Sequence, residues 1–406
     1  MYEKRRDNKG RILRTGESQR KDGRYAYKYM DGYGKPRFVY AWKLVATDRT
    51  PPGKRDDCSL REKIREIQRD LDDGINPYGK RLTVCQLYEK QIRSKRNVKL
   101  NTKKGREHLM SLLRSDPFGA RSIDSVRKSD AKDWAIRMSE RGYAYKTISN
   151  YKRSLKAAFY LAIEEDYIRK NPFNWEMEDI LEDDTESKAV LTPEQESSLL
   201  AFMEADPTYR KYYDDIVVLL ETGLRISELC GLTTKLDFAN RRLHIDHQLL
   251  RDKEIGYYIG TPKTDCGYRD IPMTERCYMA LKRIVKNRGK AAPLKVNGYT
   301  NFLFLKQDGL PRTRDSYDSM VSGLVKKYNK WHRDNPLPKV TPHTFRHTFC
   351  TRMANAGMLP TTLQYIMGHA SITMTLGYYT HTTFESAQVE MARVEAARIE
   401  QSEKAA

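Results

Sequence analysis

The carboxy-terminal half of the sequence contains spaced side chains that suit the breaking of a phosphodiester bond. Two arginines, Arg225 and Arg346, could hold one phosphate through paired guanidinium groups and stabilise a pentacovalent transition state. His343 and His369 could exchange a proton with a nucleophile or a phosphate oxygen. A tyrosine, such as one of the adjacent Tyr378 and Tyr379, can serve as a covalent nucleophile. Arginines can supply the positive field that a metal would otherwise provide, so we expect neither a metal nor a cofactor.

A helix is predicted to carry the second arginine and the first histidine. Thr341 is a typical cap residue, and Pro342 suits the first helical position because proline lacks the N–H that has no partner there. His343 then lies in the first turn, three residues before Arg346 and on the same helix face. The N–H groups of that turn also favour a nearby anion.

Two glycines are predicted to position the remaining groups. Gly223 allows a tight turn, after which Arg225 emerges at the start of a helix. Gly368 is expected to end another helix just before His369. Two helices precede this region, one opened by Thr192-Pro193 and one over Tyr209–Thr222. Between the turn and the later helices we expect three short strands, Arg242–Asp246, Tyr257–Gly260 and Tyr268–Pro272.

The sequence around these residues resembles the signature boxes of the tyrosine recombinases, or phage-type integrases. The match in residue type, order and spacing runs over roughly residues 190–385. The boxes are Gly223-Leu224-Arg225-Ile226-Ser227-Glu228-Leu229, His343-Thr344-Phe345-Arg346-His347-Thr348-Phe349, Met367-Gly368-His369 and Tyr379-Thr380-His381. The resemblance implies a mainly α catalytic domain with a small β-sheet, of the type that breaks and rejoins DNA. A small basic module ahead of two further domains resembles the integrases of conjugative transposons.

The resemblance also implies a role for each residue. Arg225 and Arg346 would grip the scissile phosphate. Lys263, in the turn between the last two strands, would be the general acid that protonates the 5′-oxygen. His343 would assist as an acid or base, and His369 would donate to a phosphate oxygen. Since a phosphotyrosyl bond nearly conserves the energy of the phosphodiester, no ATP site is needed.

The nucleophile and the general acid each leave an alternative open. Tyr378 and Tyr379 are adjacent. Tyr379 is favoured because it lies ten residues after His369 and precedes Thr-His, as is common in the family, and it would form the 3′-phosphotyrosyl link. A hairpin can shift its register, so Lys253 is the alternative to Lys263. Glu228 resembles the acidic position that braces the site.

Charge divides the chain. Its 406 residues include 74 Lys and Arg against 54 Asp and Glu, a net charge of +20, which favours a polyanionic partner such as nucleic acid. Residues 1–55 have a balance of +10 and residues 81–175 one of +12, whereas residues 176–187 hold seven acidic and no basic residues. We predict an arm-type DNA-binding module, a helical core-site-binding domain, an acidic solvated linker, a catalytic domain and a tail helix, over residues 1–75, 81–178, 179–190, 191–384 and 385–406.

The amino-terminal module is predicted to be a small α+β unit. Basic or small residues alternate with aromatic ones over 23–29, a turn-like 31–36 follows, and residues 37–45 complete the pattern of a hairpin. Ser59 opens a helix through a capping-box pattern. The Gly/Pro-punctuated residues 74–80 match most of a phosphate-binding loop. However, no apolar strand precedes them and Arg81 stands where Ser or Thr is needed, which favours a linker.

Residues 81–175 are predicted to be all-helical. The first helix is expected over roughly Thr83–Val98, and two more start near Asn101 and Ser129. A fourth, near Tyr145–Ile163, buries an apolar face. Its basic residues, suited to DNA phosphates, are Lys146, Lys152, Arg153 and Lys156.

Several classes of protein are excluded by the sequence. No apolar run approaches the ~18 residues of a membrane span, and the charged start lacks the apolar core of a secretory signal. Six cysteines without a CxxC pair favour reduced thiols and a cytoplasmic, nucleoid-associated protein. His343 and His347 have zinc-like spacing, but no metalloprotease glutamate or third ligand accompanies them.

Three functions fit this set of residues. The first is a site-specific recombinase that integrates and excises a mobile element, a conjugative transposon. A type IB topoisomerase-like relaxase is the second, and a DNA-binding regulator that has lost catalysis is the third. The acidic hinge, the arm-like module and the tail favour strand exchange, and the complete set of Arg, Lys, His and Tyr argues against the regulator. The expected partners are double-stranded DNA at the element ends, arm sites and target, further copies in a synaptic tetramer, an excisionase and a DNA-bending host protein.

Overall fold

The chain forms two compact units, residues 1–186 and 187–406. The computed structural model describes residues 5–31, 34–72, 81–95, 98–185, 189–262 and 265–379, with 388, 391, 392, 395, 396, 398 and 399. Lys263 and most of the predicted tail helix therefore lie outside the described residues. No helix in the described ranges is long and apolar enough to cross a membrane.

The first unit begins with a three-stranded antiparallel sheet and one helix. Tyr25 and Ala41, opposite each other in the sheet, form a small apolar core with Leu13, Leu44 and Leu60. The carboxylate of Glu62 accepts hydrogen bonds from Ser59, which caps the helix as predicted. The hairpin is also confirmed, but the first strand was missed. The elements are β1 (Glu17–Gln19), β2 (Tyr25–Met30), β3 (Pro36–Ala41) and α1 (Leu60–Asp72).

Helices make up the rest of the first unit. Thr83 caps the first of them with a capping box, and this helix ends at Ser94, so its predicted extension to Val98 is wrong. The third predicted helix, expected to start near Ser129, starts at Lys128 with Arg127 as its cap, and the Asp130 carboxylate accepts from the Arg127 amide at 2.8 Å. The helices are α2 (Val84–Ser94), α3 (Leu100–Ser115), α4 (Pro117–Ala120), α5 (Lys128–Glu140) and α6 (Tyr145–Glu164).

Two predictions about α6 and the segment after it need correction. Lys152 does not face solvent, because it is buried and its ammonium donates to the Trp175 carbonyl. The ammonium nitrogen also lies 4.3 Å from the centre of the Trp175 indole ring. The acidic run is not wholly solvated either, because Met177–Asp179 forms a 3₁₀ helix with Met177 buried. Glu178 accepts a hydrogen bond from the Tyr145 hydroxyl at 2.7 Å. Apolar residues within the run therefore hold its start against the helices.

The second unit is mainly helical with two small sheets. Its centre is α8, whose residues 216–220 are all apolar and buried. A 3₁₀ turn, Arg210–Tyr212, precedes α8, so the predicted single helix from Tyr209 is divided. The helices are α7 (Pro193–Ala205), α8 (Tyr213–Thr222), α9 (Ile226–Gly231), α10 (Glu275–Lys286), α11 (Arg314–Trp331), α12 (Pro342–Asn355), α13 (Pro360–Met367) and α14 (Ile372–Leu376).

Four short strands lie between α9 and α10. They are β4 (Arg242–Ile245), β5 (Gln248–Asp252), β6 (Gly256–Gly260) and β7 (Arg269–Pro272). β4 pairs with β7, and β5 pairs with β6, in both cases antiparallel. β5 was missed by the sequence analysis, and the other three lie within one residue of their predicted bounds. The expected fold class, with a small α+β module, a helical domain and a mainly α domain with a little sheet, is confirmed.

Candidate active site

A left-handed glycine places Arg225. α8 ends at Gly223, which has φ of 61° and donates its N–H to the Leu219 carbonyl. A Cβ atom at this position would lie 2.4 Å from Cδ1 of Phe349, so no larger residue fits without movement. The chain turns sharply here, and Arg225 becomes the N-cap of α9. Only glycine meets both the backbone and the packing requirement.

Arg346 reaches the same place from α12. Thr341 is the N-cap of that helix and Pro342 its first residue, as predicted. One turn later the Arg346 side chain is buried, and it donates to the Gly223 carbonyl at 2.6 Å. His343, one turn before it on the same helix, is exposed.

The end of α13 brings the two arginines together. The helix stops at Gly368, which is left-handed, and its last carbonyls are left without intrahelical partners. Arg346 donates to the Met367 carbonyl, and Arg225 donates to the Gly368 carbonyl at 3.0 Å. The two guanidinium groups predicted to hold one phosphate thus bind adjacent carbonyls.

Positive charge dominates this part of the structure. Burial and the nearby Arg225 lower the pKa of Arg346 to about 9. Burial, followed by Arg346 and Arg225, lowers the pKa of His369 to about 4. Partial loss of solvation beside the buried Arg346, followed by the charge of Arg346 itself, lowers the pKa of His343 as well, although its side chain still reaches solvent. Part of each shift comes from neighbouring arginines, so this arrangement favours an anionic ligand.

His369 is fixed by the turn that follows α13. Its ring is buried, and Nδ1 lies 3.0 Å from the Thr375 hydroxyl. Its backbone N–H donates to the Gln364 carbonyl at 3.1 Å. With a pKa of about 4, the imidazole is neutral near pH 7. The structure therefore places His369 beside both arginines as a neutral ring.

The two tyrosines are anchored differently. The Tyr378 hydroxyl is hydrogen-bonded to Nδ1 of His347, whereas the Tyr379 hydroxyl donates to the Met358 carbonyl. Burial raises the pKa of Tyr378 to about 12 and also raises that of Tyr379. Within the described ranges, neither hydroxyl is hydrogen-bonded to Arg225 or Arg346. The predicted nucleophile is thus not brought onto the arginine pair.

The chain leading to Lys263 is tied to α9, although Lys263 itself is outside the described residues. The Gln248 side chain accepts from the Ser227 hydroxyl at 2.8 Å and donates to the Thr261 carbonyl at 2.9 Å. Ser227 lies two residues after Arg225. The alternative, Lys253, is exposed in the turn of the β5–β6 hairpin.

One buried residue of the site was missed. Arg269, at the start of β7, is paired with Glu228, with 2.9 Å between Nη2 and Oε2. The sequence did contain a signal for its burial. Arg269 and Ile271 share one face of a strand, and the apolar Ile271 must point inward, so Arg269 points inward too. Glu228 also accepts from the Arg225 guanidinium at 2.7 Å, which agrees with its predicted bracing role. Among the described residues, no group of three or more His, Cys, Asp or Glu side chains could hold a metal ion.

The fold and the converging arginines define a class of DNA strand-breaking enzyme, and comparisons with known proteins identify it. Residues 189–386 match the phage integrase family, and residues 1–71 match the DNA-binding domain of Tn916 integrase. The chain is 62% identical to the Tn1545 transposase of Streptococcus agalactiae serotype V over 392 residues, 96% of each chain. It is 61% identical to the Tn916 transposase of Enterococcus faecalis over the same length and share of each chain.

A solved structure of a related integrase has a similar fold. The Tn1549 transposon integrase, in complex with a circular intermediate DNA, superposes with a TM-score of 0.74 at 60% identity, covering 77% of this chain and 99% of that one. This chain belongs to the phage integrase family, that is, to the tyrosine recombinases.

Proposed function

We propose that this tyrosine recombinase integrates and excises a conjugative transposon by site-specific strand exchange through a 3′-phosphotyrosyl intermediate. The convergence of Arg225 and Arg346 on the end of α13 carries the proposal. Two guanidinium groups that meet at one place can each donate two hydrogen bonds, which suits the non-bridging oxygens of one phosphodiester. Its 62% and 61% identical relatives are named as transposases of Tn1545 and Tn916.

Each residue receives a role in a single displacement. Arg225 and Arg346 hold the phosphate and stabilise the charge of the pentacovalent transition state. The Tyr379 hydroxyl gives its proton to a base and its oxygen attacks phosphorus, while the bond to the 5′-oxygen breaks and that oxygen leaves with a proton from Lys263. His343 assists as acid or base. His369 donates from Nε2, which carries the proton when Nδ1 accepts from Thr375.

Tyr379 needs two changes before it can attack. Its hydroxyl must leave the Met358 carbonyl, and it must lose its proton although burial raises its pKa. A phosphate bound by the arginines offers the Tyr379 oxygen a new partner, and Arg225 and Arg346 themselves supply the positive surrounding that favours the phenolate. Cleavage is therefore proposed to follow DNA binding.

The domain organisation forms part of the proposal. Residues 1–75 bind arm sites, and residues 81–178 with the catalytic residues 191–384 enclose the core site, joined by linker 179–190. Arg20 and Arg24 lie over the Tyr40 ring on the sheet of the first module, which offers cations and an aromatic surface to DNA. Solved Tn1549 integrase structures contain circular intermediate and transposon right end DNA. Strand exchange further requires a tetramer, and in that tetramer tail 385–406 docks on a neighbouring copy. It also requires an excisionase and a host protein that bends DNA.

Trapping the covalent intermediate tests the proposal. On a duplex nicked close to the crossover, the short cleaved fragment diffuses away and leaves the protein bound to DNA. We expect Tyr379→Phe to bind this duplex and give no adduct, whereas Tyr378→Phe still forms one. Denaturing gels resolve the adduct, and mobility shifts measure binding. Adduct formation by Tyr379→Phe would exclude this nucleophile, and failure of the wild type to form an adduct would support an inactive regulator.

A further inference from the structure

A third guanidinium group meets the end of α13. Arg269 donates from Nε to the Ile366 carbonyl at 2.6 Å. The next two carbonyls accept from Arg346 and Arg225. Three successive carbonyls at the negative end of one helix therefore fix three arginines, and Arg269 is the most deeply buried, with a side chain that is 0% exposed.

Arg269 and Arg225 share a single carboxylate. Glu228 is buried and accepts from Arg269 at 2.9 Å and 3.3 Å. It also accepts from the Arg225 guanidinium at 2.7 Å and from the Arg225 backbone N–H at 3.0 Å. Burial acts to raise the pKa of Glu228, but Arg269 and Arg225 outweigh it and hold the pKa at about 2, so the group is ionised.

Because Glu228 is shared, part of the Arg225 guanidinium remains available to a ligand. Its Nη1 binds Glu228 and its Nη2 binds Gly368, and the side chain remains 30% exposed. A buried carboxylate that loses one of two cationic partners draws the other partner closer, because an uncompensated buried charge is costly. Without Arg269, the Arg225 fork would close on Glu228 and turn from the phosphate.

We propose that Arg269 is a positioning residue that neutralises Glu228 and so keeps the Arg225 guanidinium available to the scissile phosphate. This inference rests on the proposed role of Arg225. It assigns Arg269 no contact with DNA. Arg269 also donates to the Gly267 carbonyl at 3.1 Å, which ties the start of β7 to the same carboxylate.

A charge-compensated pair of substitutions tests this. We expect Arg269→Met to slow adduct formation by about tenfold or more and to leave DNA affinity unchanged. An effect of this size is typical of two residues that are strongly coupled. The double variant Arg269→Met/Glu228→Gln, which also removes the carboxylate charge, should cleave within about threefold of Glu228→Gln alone. A purely structural arginine predicts no such recovery, so a double variant as slow as Arg269→Met overturns the inference.

A second variant covers the risk that Arg269→Met does not fold. Arg269→Lys keeps the positive charge beside Glu228 but cannot make all the carbonyl bonds. We expect it to cleave within about threefold of wild type, since a lysine ammonium still compensates the buried carboxylate charge. A folded Arg269→Lys, checked by thermal unfolding, that cleaves as slowly as Arg225→Lys overturns the inference.

Two controls separate this inference from the proposed function. Arg283→Met removes an arginine from an ion pair with Asp214 outside the site, and it should cleave as wild type does. Arg225→Lys should bind DNA and cleave far more slowly, because lysine lacks the planar fork. If Arg225→Lys cleaves normally, the proposed function fails. If it is slow and the double variant does not recover, the positioning role alone fails.

Discussion

At the scale of single residues, the site has more positive charge than its own carboxylate can balance. Arg225, Arg269 and Arg346 surround one anion, Glu228. Burial, together with the neighbouring arginines, lowers the pKa of Arg346 to about 9 and that of His369 to about 4, so the site disfavours additional positive charge. A phosphodiester carries one negative charge, so binding it relieves this repulsion. Without DNA, the same arginines are therefore held together less easily.

The titration of His369 gives a prediction for stability. Its pKa of about 4 in the folded protein lies below its ordinary 6.5, so the unfolded chain binds the extra proton between these values. Stability from this group is complete above pH 6.5 and is lost as pH falls towards 4. Between pH 7 and pH 5, wild type should lose about 2 kcal/mol more unfolding free energy than His369→Gln.

Urea titrations of both proteins at the two pH values provide the measurement. Asp215, whose pKa burial raises to about 6, acts in the opposite direction but is common to both proteins, so it cancels in the comparison. Equal changes for wild type and His369→Gln would mean that the buried imidazole does not titrate in this way.

The sequence identified residues of the site where motif and local structure coincide. Arg225 and Arg346 stand beside a glycine turn and a capped helix start, which are local signals. Arg269 has no such signal beyond strand alternation, since its partners Glu228 and Ile366 are 41 and 97 residues away. The anchoring of Tyr379 by Met358 likewise depends on tertiary packing.

At the scale of elements, caps and prolines predicted helix starts well, and contacts between elements decided what was missed. α7 and α12 begin at the expected Thr-Pro pairs. β5 escaped prediction although β4 and β7 are shorter, and its residue Gln248 is held by a distant partner, Ser227 of α9. Lys152 is basic on a helix, yet the Trp175 carbonyl holds it inside. Distant partners of this kind leave no periodic pattern.

The junction between α8 and α9 yields a prediction for folding. Gly223→Ala would put a Cβ 2.4 Å from Phe349 of α12, at a φ of 61° that alanine disfavours. We expect a loss of about 2–4 kcal/mol in unfolding free energy, from backbone strain and overpacking together. Gly289→Ala is the matched control, because a Cβ there meets nothing within 4 Å.

Denaturant unfolding of the two alanine variants would settle the comparison. Because Arg346 donates to the Gly223 carbonyl, a shift of this turn should also slow cleavage. A Gly223→Ala protein as stable and active as Gly289→Ala would show that the junction can relax.

At the scale of the whole molecule, charge was a better guide to organisation than periodicity. The basic stretches 1–55 and 81–175 both lie in the first compact unit, and the acidic run 176–187 spans its boundary with the second. Within the first unit, the sheet module and the helices have separate apolar cores. The proposed five-part division is finer than this two-unit structure, because it separates the two cores of the first unit and adds a linker and a tail.

Deleting residues 1–80 tests that division at the level of the molecule. The module has its own core, so its removal should leave the other helices folded, and cleavage of a nicked core site should stay within about threefold of wild type. Affinity for arm-site DNA should disappear, since the basic residues around Tyr40 are lost. Lys21→Ala, at an exposed position beside them, should weaken arm binding and spare cleavage. Loss of core-site cleavage by a folded deletion protein would show that the module completes the catalytic unit.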